Sequence, residues 1–322
     1  LLLVATGALL ASCSGPIPEQ TQILGDAVPI DRLYPPGQGP VVGQEFTLLE
    51  LYPRHLWLTG VDVKVKDDKS GAEVDGILAG LTIGFRDPER HRKLNKLGGP
   101  IHASLFHPRP GLLSIRLPKG YGIPLRSNET LHVSSLWQNR DLYRPPLQAR
   151  TDVTLHFQSD TAKPPLKALR VHPIFATVPA ESAGSTPVQT AGHPRLYDAR
   201  EVQTDAEGRL AGGRWWVTSG RSEVRSVISH TLPADSELTV RLATAFTYDD
   251  WSSLELFDLT AGKSLLHFDP TAPLAQEFPN GLTVDTRHHL ELRAVYNNPS
   301  PANHVGVGMI VLYADAAEQP GL

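Results

Sequence analysis

Apolar and polar residues alternate along most of this chain. In Leu56-Trp57-Leu58-Thr59-Gly60-Val61-Asp62-Val63-Lys64-Val65 the period is two, the signature of a half-buried strand. Val42 to Asp67 is therefore read as two strands, closed by a turn at Asp67-Asp68-Lys69-Ser70-Gly71. Further strands are expected at 101–106, 112–117, 130–136 and 151–157. A short one is expected at Leu169-Arg170-Val171-His172. In the second half they are expected at 213–217, 224–228, 238–246, 253–257 and 265–268. The closing stretch begins with alternation at Leu290, Leu292, Ala294 and Tyr296, and breaks at Asn297-Asn298-Pro299-Ser300-Pro301. It resumes as an apolar, glycine-spaced strand from Val305 to Tyr313, so two strands joined by a polar loop are expected to close one sheet. No stripe of period 3.6 is sustained anywhere. The charged run Arg86 to Lys96 reads as an exposed loop with a helical turn.

The pattern predicts an all-β protein, and 322 residues favour two domains. Gly 27 and Pro 28 together make about 17% of the chain, against about 12% in ordinary proteins, which fits many short strands and turns. The expected organisation is two tandem antiparallel β-sandwich (jelly-roll-like) domains at 42–158 and 195–316. A Pro/Gly-rich tether at 13–41 precedes them, and a linker rich in Pro, Ala, Ser and Thr at 159–194 joins them. The net charge of -4 without any basic stripe argues against a nucleic-acid partner, which needs clustered cations to displace counterions.

The segment 1–12, LLLVATGALLAS, is apolar, uncharged and too short to span a bilayer; it reads as the core of a secretory signal. The one methionine is Met309, so an initiator is missing, and the chain is expected to be truncated or begun at a misassigned codon. Leu10-Ala11-Ser12-Cys13 resembles a bacterial lipobox, and Cys13 is the sole cysteine. Lipidation of Cys13 is the expectation, and no disulfide or thiolate metal site is possible within the chain. The resemblance, through Ser14 after the cysteine, implies the outer rather than the inner membrane of a cell envelope.

Several stretches carry a family resemblance. Tyr-Asn-Asn-Pro-Ser at 296–300, the strand ending in Leu312-Tyr313, Ser253-Leu254-Glu255-Leu256, Asp258-Leu259-Thr260-Ala261-Gly262 and Leu117-Pro118-Lys119-Gly120-Tyr121-Gly122-Ile123-Pro124-Leu125 resemble the copper type II (peptidylglycine α-hydroxylating) monooxygenases. The likeness covers 42–158 and 194–316 in pieces. It implies one copper per domain, held by a His-His pair with a third His in the first domain and by His-x-His with a Met in the second, a donor set suited to copper. At the corresponding positions stand Ala79-Gly80, then Trp137 or Gln138, then Phe246 and Tyr248; Met309 lies two or three residues past its ligand position.

Other candidates are fewer. His288-His289 is a true pair, but neighbours on a strand face opposite ways. His102 and His107 flank a short strand, with His91 nearby. Asp249-Asp250 is read as a solvated loop end, with cation binding or acid–base work as the alternative. Trp215-Trp216 must send one ring to each face, so one of them can serve as an exposed aromatic platform. No Gly-x-Ser-x-Gly elbow and no phosphate-binding loop occurs.

The sequence therefore predicts a non-catalytic envelope lipoprotein with a degenerate metal site and no cofactor. It would act as a binding, scaffold or accessory subunit toward a protein or polysaccharide partner. The alternative is an enzyme: a copper-dependent monooxygenase with relocated ligands, or a carboxylate-based glycan hydrolase at the domain interface by analogy with the related peptide-N-glycosidase fold.

Overall fold

The computed structural model describes residues 19–35, 37–48, 53–98, 101–161, 164–179, 203–204 and 210–316. Cys13 and the segment 1–12 lie outside the described residues. The protein is all-β, with antiparallel sheets stacked face to face as two sandwiches in tandem.

The first sandwich stacks two sheets. One orders Gln20–Leu24, Leu147–Ser159, His55–Asp67 and Tyr121–Arg126; the other orders Val41–Thr47, Thr130–Trp137, Leu78–Phe85 and Ser104–Phe106. Alternation dictates the stacking: Leu58, Val61, Val63 and Val65 turn inward to meet Leu81, Ile83 and Val133. The second sandwich stacks Lys167–Phe175, Gly308–Asp315, Glu237–Thr247 and Ala275–Asp285 on Gly220–Val227, Leu290–Asn298, Trp251–Asp258 and Lys263–Phe268.

The two sandwiches share one continuous sheet. Lys167–Phe175 pairs antiparallel with Gly308–Asp315 on one side, and parallel with Tyr121–Arg126 on the other. The parallel contact is brief, Lys167 opposite Tyr121 and Ala168 opposite Gly122, after which the strands diverge.

Where the sandwiches meet, the strand Gly308–Asp315 is buried on both faces. Met309, Val311 and Tyr313 join the first sandwich's core, while Ile310, Leu312 and Ala314 join the second's. This is why 305–313 reads as a continuous apolar run instead of alternating. Glu237–Thr247 does the same with a β-bulge between Val240 and Leu242, which resets its phase. Val240, Ala243 and Ala245 then face one core, and Leu242 and Phe246 the other.

Three expectations change. The strands Leu290–Asn298 and Gly308–Asp315 lie in opposite sheets of the second sandwich, not in one. The Pro299-Ser300-Pro301 loop arches between sheets, through a short strand His304–Gly306 that pairs with Trp215–Val217. Within the expected tether, Gln20–Leu24 and Val28–Ile30 are edge strands on Leu147–Ser159, because Ile23, Val28 and Ile30 supply three buried side chains. Within the expected linker, Lys167–Phe175 is a central strand, since it offers an apolar side chain to each core. The charged excursion holds a helix, Pro88–Leu94, started by the Asp87 carboxylate accepting from the Arg90 N–H and by proline in its first turn.

Candidate functional site

The positions that the resemblance would assign to copper ligands lie at the junction of the two sandwiches, where Ala79, Trp137, Phe246, Tyr248 and Met309 join one core. A Cβ added to Gly80 would lie 2.5 Å from the Phe246 ring. Phe246 meets Tyr248 edge-on at 5.9 Å and the His107 ring at 5.7 Å. Trp137 is fully buried, and Met309 stands opposite Phe246 in the sheet register. His107 is itself committed, its Nδ1 3.3 Å from the Thr82 hydroxyl. Phenyl, phenol and indole rings and a glycine offer none of the imidazoles that the resemblance implies, so these residues do not fit copper. Among the described residues, no group of three or more His, Cys, Asp or Glu is placed to hold a metal ion.

The same junction carries a polar rim. Arg140 of the first sandwich lies 3.2 Å from the Asp249 carboxylate and 3.6 Å from that of Asp250. The Gln138 amide donates to Asp249 at 3.3 Å, and His304 Nε2 is 3.3 Å from Asp250. Asp250 sits in the left-handed region (φ 65°), which its place in the turn after Thr247 requires. Arg109 is buried; its guanidinium donates to the Thr247 hydroxyl and lies 5.7 Å over the Trp251 ring. Burial lowers the pKa of Arg109. Asp249 and Asp250 are thus not a solvated loop end: their carboxylates are taken up in holding the two sandwiches together.

The histidine pair lies in the turn between Ala275–Asp285 and Leu290–Asn298, not in a strand. His288 hydrogen-bonds Asp258 at 2.7 Å, whereas His289 is exposed. Trp215 is buried edge-on against Tyr296 and Trp216 is 41% exposed, one ring to each face as expected.

A cavity of about 460 Å³ opens where Tyr121–Arg126 and Lys167–Phe175 diverge. Pro124 and Pro173 line the gap, and neither has an N–H to leave unpaired there. The helix Pro88–Leu94 contributes His91, the segment after it His102, the central strand Arg170 and His172, and the turn Ser229–Thr231 His230.

Each described partner sets one of these rings. His91 stacks on Phe85 at 3.6 Å, and its Nδ1 lies 2.7 Å from the buried Glu129 carboxylate. Burial works to raise the Glu129 pKa. The hydrogen bonds from His91, the Arg126 N–H and Asn95 overcome it and hold the group below the usual carboxylate range. His102 accepts from the Ser104 N–H at 3.1 Å through Nδ1, which leaves its proton on Nε2 when the ring is neutral. His172 is pushed down to about 4, first by burial and then by the charges of Arg170 and His102. Arg170 donates to the Gly98 carbonyl.

Of the residues singled out from sequence, His91 and His102 line this cavity and His107 does not. Arg170, His172 and His230 escaped notice. A signal existed: Arg170 and His172 sit two apart in a strand that is otherwise apolar after Lys167, so they share a face.

Fold and site together define an all-β tandem sandwich with a basic, apolar-walled cavity beside its junction. No family model and no curated protein matches the chain. Among solved structures it is similar to PNGF-II in two crystal forms, at 11% and 12% identity and TM-scores of 0.34 and 0.33, covering 92% of this chain and 66% of that one. It is also similar to a chain of the Sulfolobus turreted icosahedral virus, at 9% identity and TM-score 0.24, covering 91% and 59%. The chain thus spans about two thirds of the length of the PNGF-II chains. Likeness at this level carries no functional argument.

Proposed function

We propose that this protein is a non-catalytic binding or scaffold member of the copper type II monooxygenase-like fold, held at a bacterial envelope membrane through lipidated Cys13. The observation that carries the reading is the packing of Phe246 against Gly80, with Tyr248 and Trp137 beside them. Aromatic rings and a glycine at the positions that the resemblance assigns to copper ligands support a reading without oxygen chemistry. The carboxylate-hydrolase alternative loses its best pair, since Asp249 and Asp250 are engaged by Arg140. The cavity between the diverging strands gives a binding protein a place for its ligand.

Metal content tests the reading. After copper loading and desalting, the purified chain is expected to retain no stoichiometric copper by elemental analysis. About one or two coppers per chain would overturn it and direct mutagenesis to His102, His107, His288, His289 and Met309.

A further inference from the structure

The cavity walls divide by chemistry. Leu97, Leu105, Ile123 and Leu232 present hydrocarbon. The polar side chains of the wall are for the most part engaged. His91 is held by Glu129, His102 by the Ser104 N–H, and Arg170 by the Gly98 carbonyl and a further contact; His230 is engaged as well. His172 differs. Its ring lines the cavity, is only partly covered, and makes no hydrogen bond among the described residues. The volume of about 460 Å³ is that of a small-molecule site, since such pockets hold about 300–1,000 Å³.

Burial decides what suits this ring. It is the first cause that holds His172 down at about 4, ahead of the charges of Arg170 and His102, so the imidazole is uncharged at neutral pH. The same loss of water penalises a charged ligand of either sign. A neutral imidazole presents one N–H and one lone pair, and a hydroxyl group both donates and accepts. A hydroxyl therefore satisfies either ring nitrogen, whichever carries the proton. A pure hydrocarbon would cover the leucine and isoleucine wall but cut the His172 ring off from water without a partner. A wholly polar molecule would leave that wall uncovered.

We propose that this cavity binds a small uncharged molecule of the medium-chain alcohol class, with its hydrocarbon against Leu105, Ile123 and Leu232 and its hydroxyl hydrogen-bonded to the His172 ring. The proposal rests on the binding reading and gives it a ligand class.

Titration calorimetry of the purified full chain at neutral pH with octanol, its isostere methyl heptyl ether, octanoate and octylammonium tests it. Octanol is expected to saturate at about one per chain and to bind about fivefold tighter than the ether, the difference that one hydrogen bond makes. Both ions are expected to bind more weakly than octanol. His172→Phe is expected to bring octanol to the affinity of the ether. Because His172 lies on a central strand, a second variant is needed: Ala234→Trp, at an exposed lining position, is expected to weaken octanol and the ether alike while the fold is retained by circular dichroism. Either ion binding as tightly as octanol would overturn the uncharged assignment, and the ether doing so would overturn the role of the hydroxyl. Binding of none of the four would overturn the ligand class, and octanol binding unchanged by Ala234→Trp would overturn the location. Copper retention would sink the non-catalytic reading and leave this titration untouched, so the two proposals fail separately.

Discussion

At the scale of single residues, His172 shows how burial sets chemistry. In the unfolded chain an imidazole titrates near its ordinary value of about 6.5. In the fold, burial and the Arg170 charge bring it to about 4. Between these values the unfolded state binds a proton that the folded state refuses, so stability falls as pH drops from about 6.5 toward 4, and this contribution levels off below. Denaturant midpoints measured across that range are expected to fall for the natural chain, and to fall less for His172→Phe. Equal slopes for the two would contradict the assignment. Glu129 acts in a lower window: its depressed pKa gives stability that is present above the usual carboxylate range and is lost as pH falls through its folded value.

At the scale of elements, the question is what holds the strands of the two sandwiches together at their junction. Two kinds of contact compete there. The ion pairs of Arg140 are partly exposed, its side chain 47% accessible, and pairs of that kind contribute about 1 kcal/mol or less. Phe246 is fully buried in a core drawn from both sandwiches, and truncating such a ring costs about 3–5 kcal/mol. Phe246→Ala is therefore expected to destabilise several-fold more than Arg140→Ala in urea unfolding, and added salt is expected to narrow the Arg140 effect further. An Arg140→Ala cost equal to that of Phe246→Ala would show that the polar rim dominates. The strand Lys167–Phe175 makes the same point about legibility. Its sequence announces a strand, but its place between Tyr121–Arg126 and Gly308–Asp315 depends on partners about 45 and 140 residues away.

At the scale of the whole molecule, one sheet runs through both sandwiches, and one core takes side chains from both. Separate melting of the halves would expose Phe246, Met309, Val311 and Tyr313 to water, a large apolar area at roughly 25 cal/mol per Å². Unfolding is expected as one transition, with tryptophan fluorescence and far-ultraviolet circular dichroism coincident. Two resolved transitions would mean that the shared sheet contributes little.

The strand content and the split of Trp215 and Trp216 were legible from residue order. Period-2 alternation and opposite-facing neighbours are local properties of the chain. The cavity was not legible. Its histidines and Arg170 come from four elements spread between residues 91 and 230, and they converge because two strands pair for two residues and then part. Nor could residue order say that Asp249 and Asp250 answer to Arg140, or that 305–313 is apolar throughout because both of its faces are covered. Those facts belong to long-range pairing. The energy of a pairing resides in which surfaces meet, and the same local pattern is compatible with many such meetings.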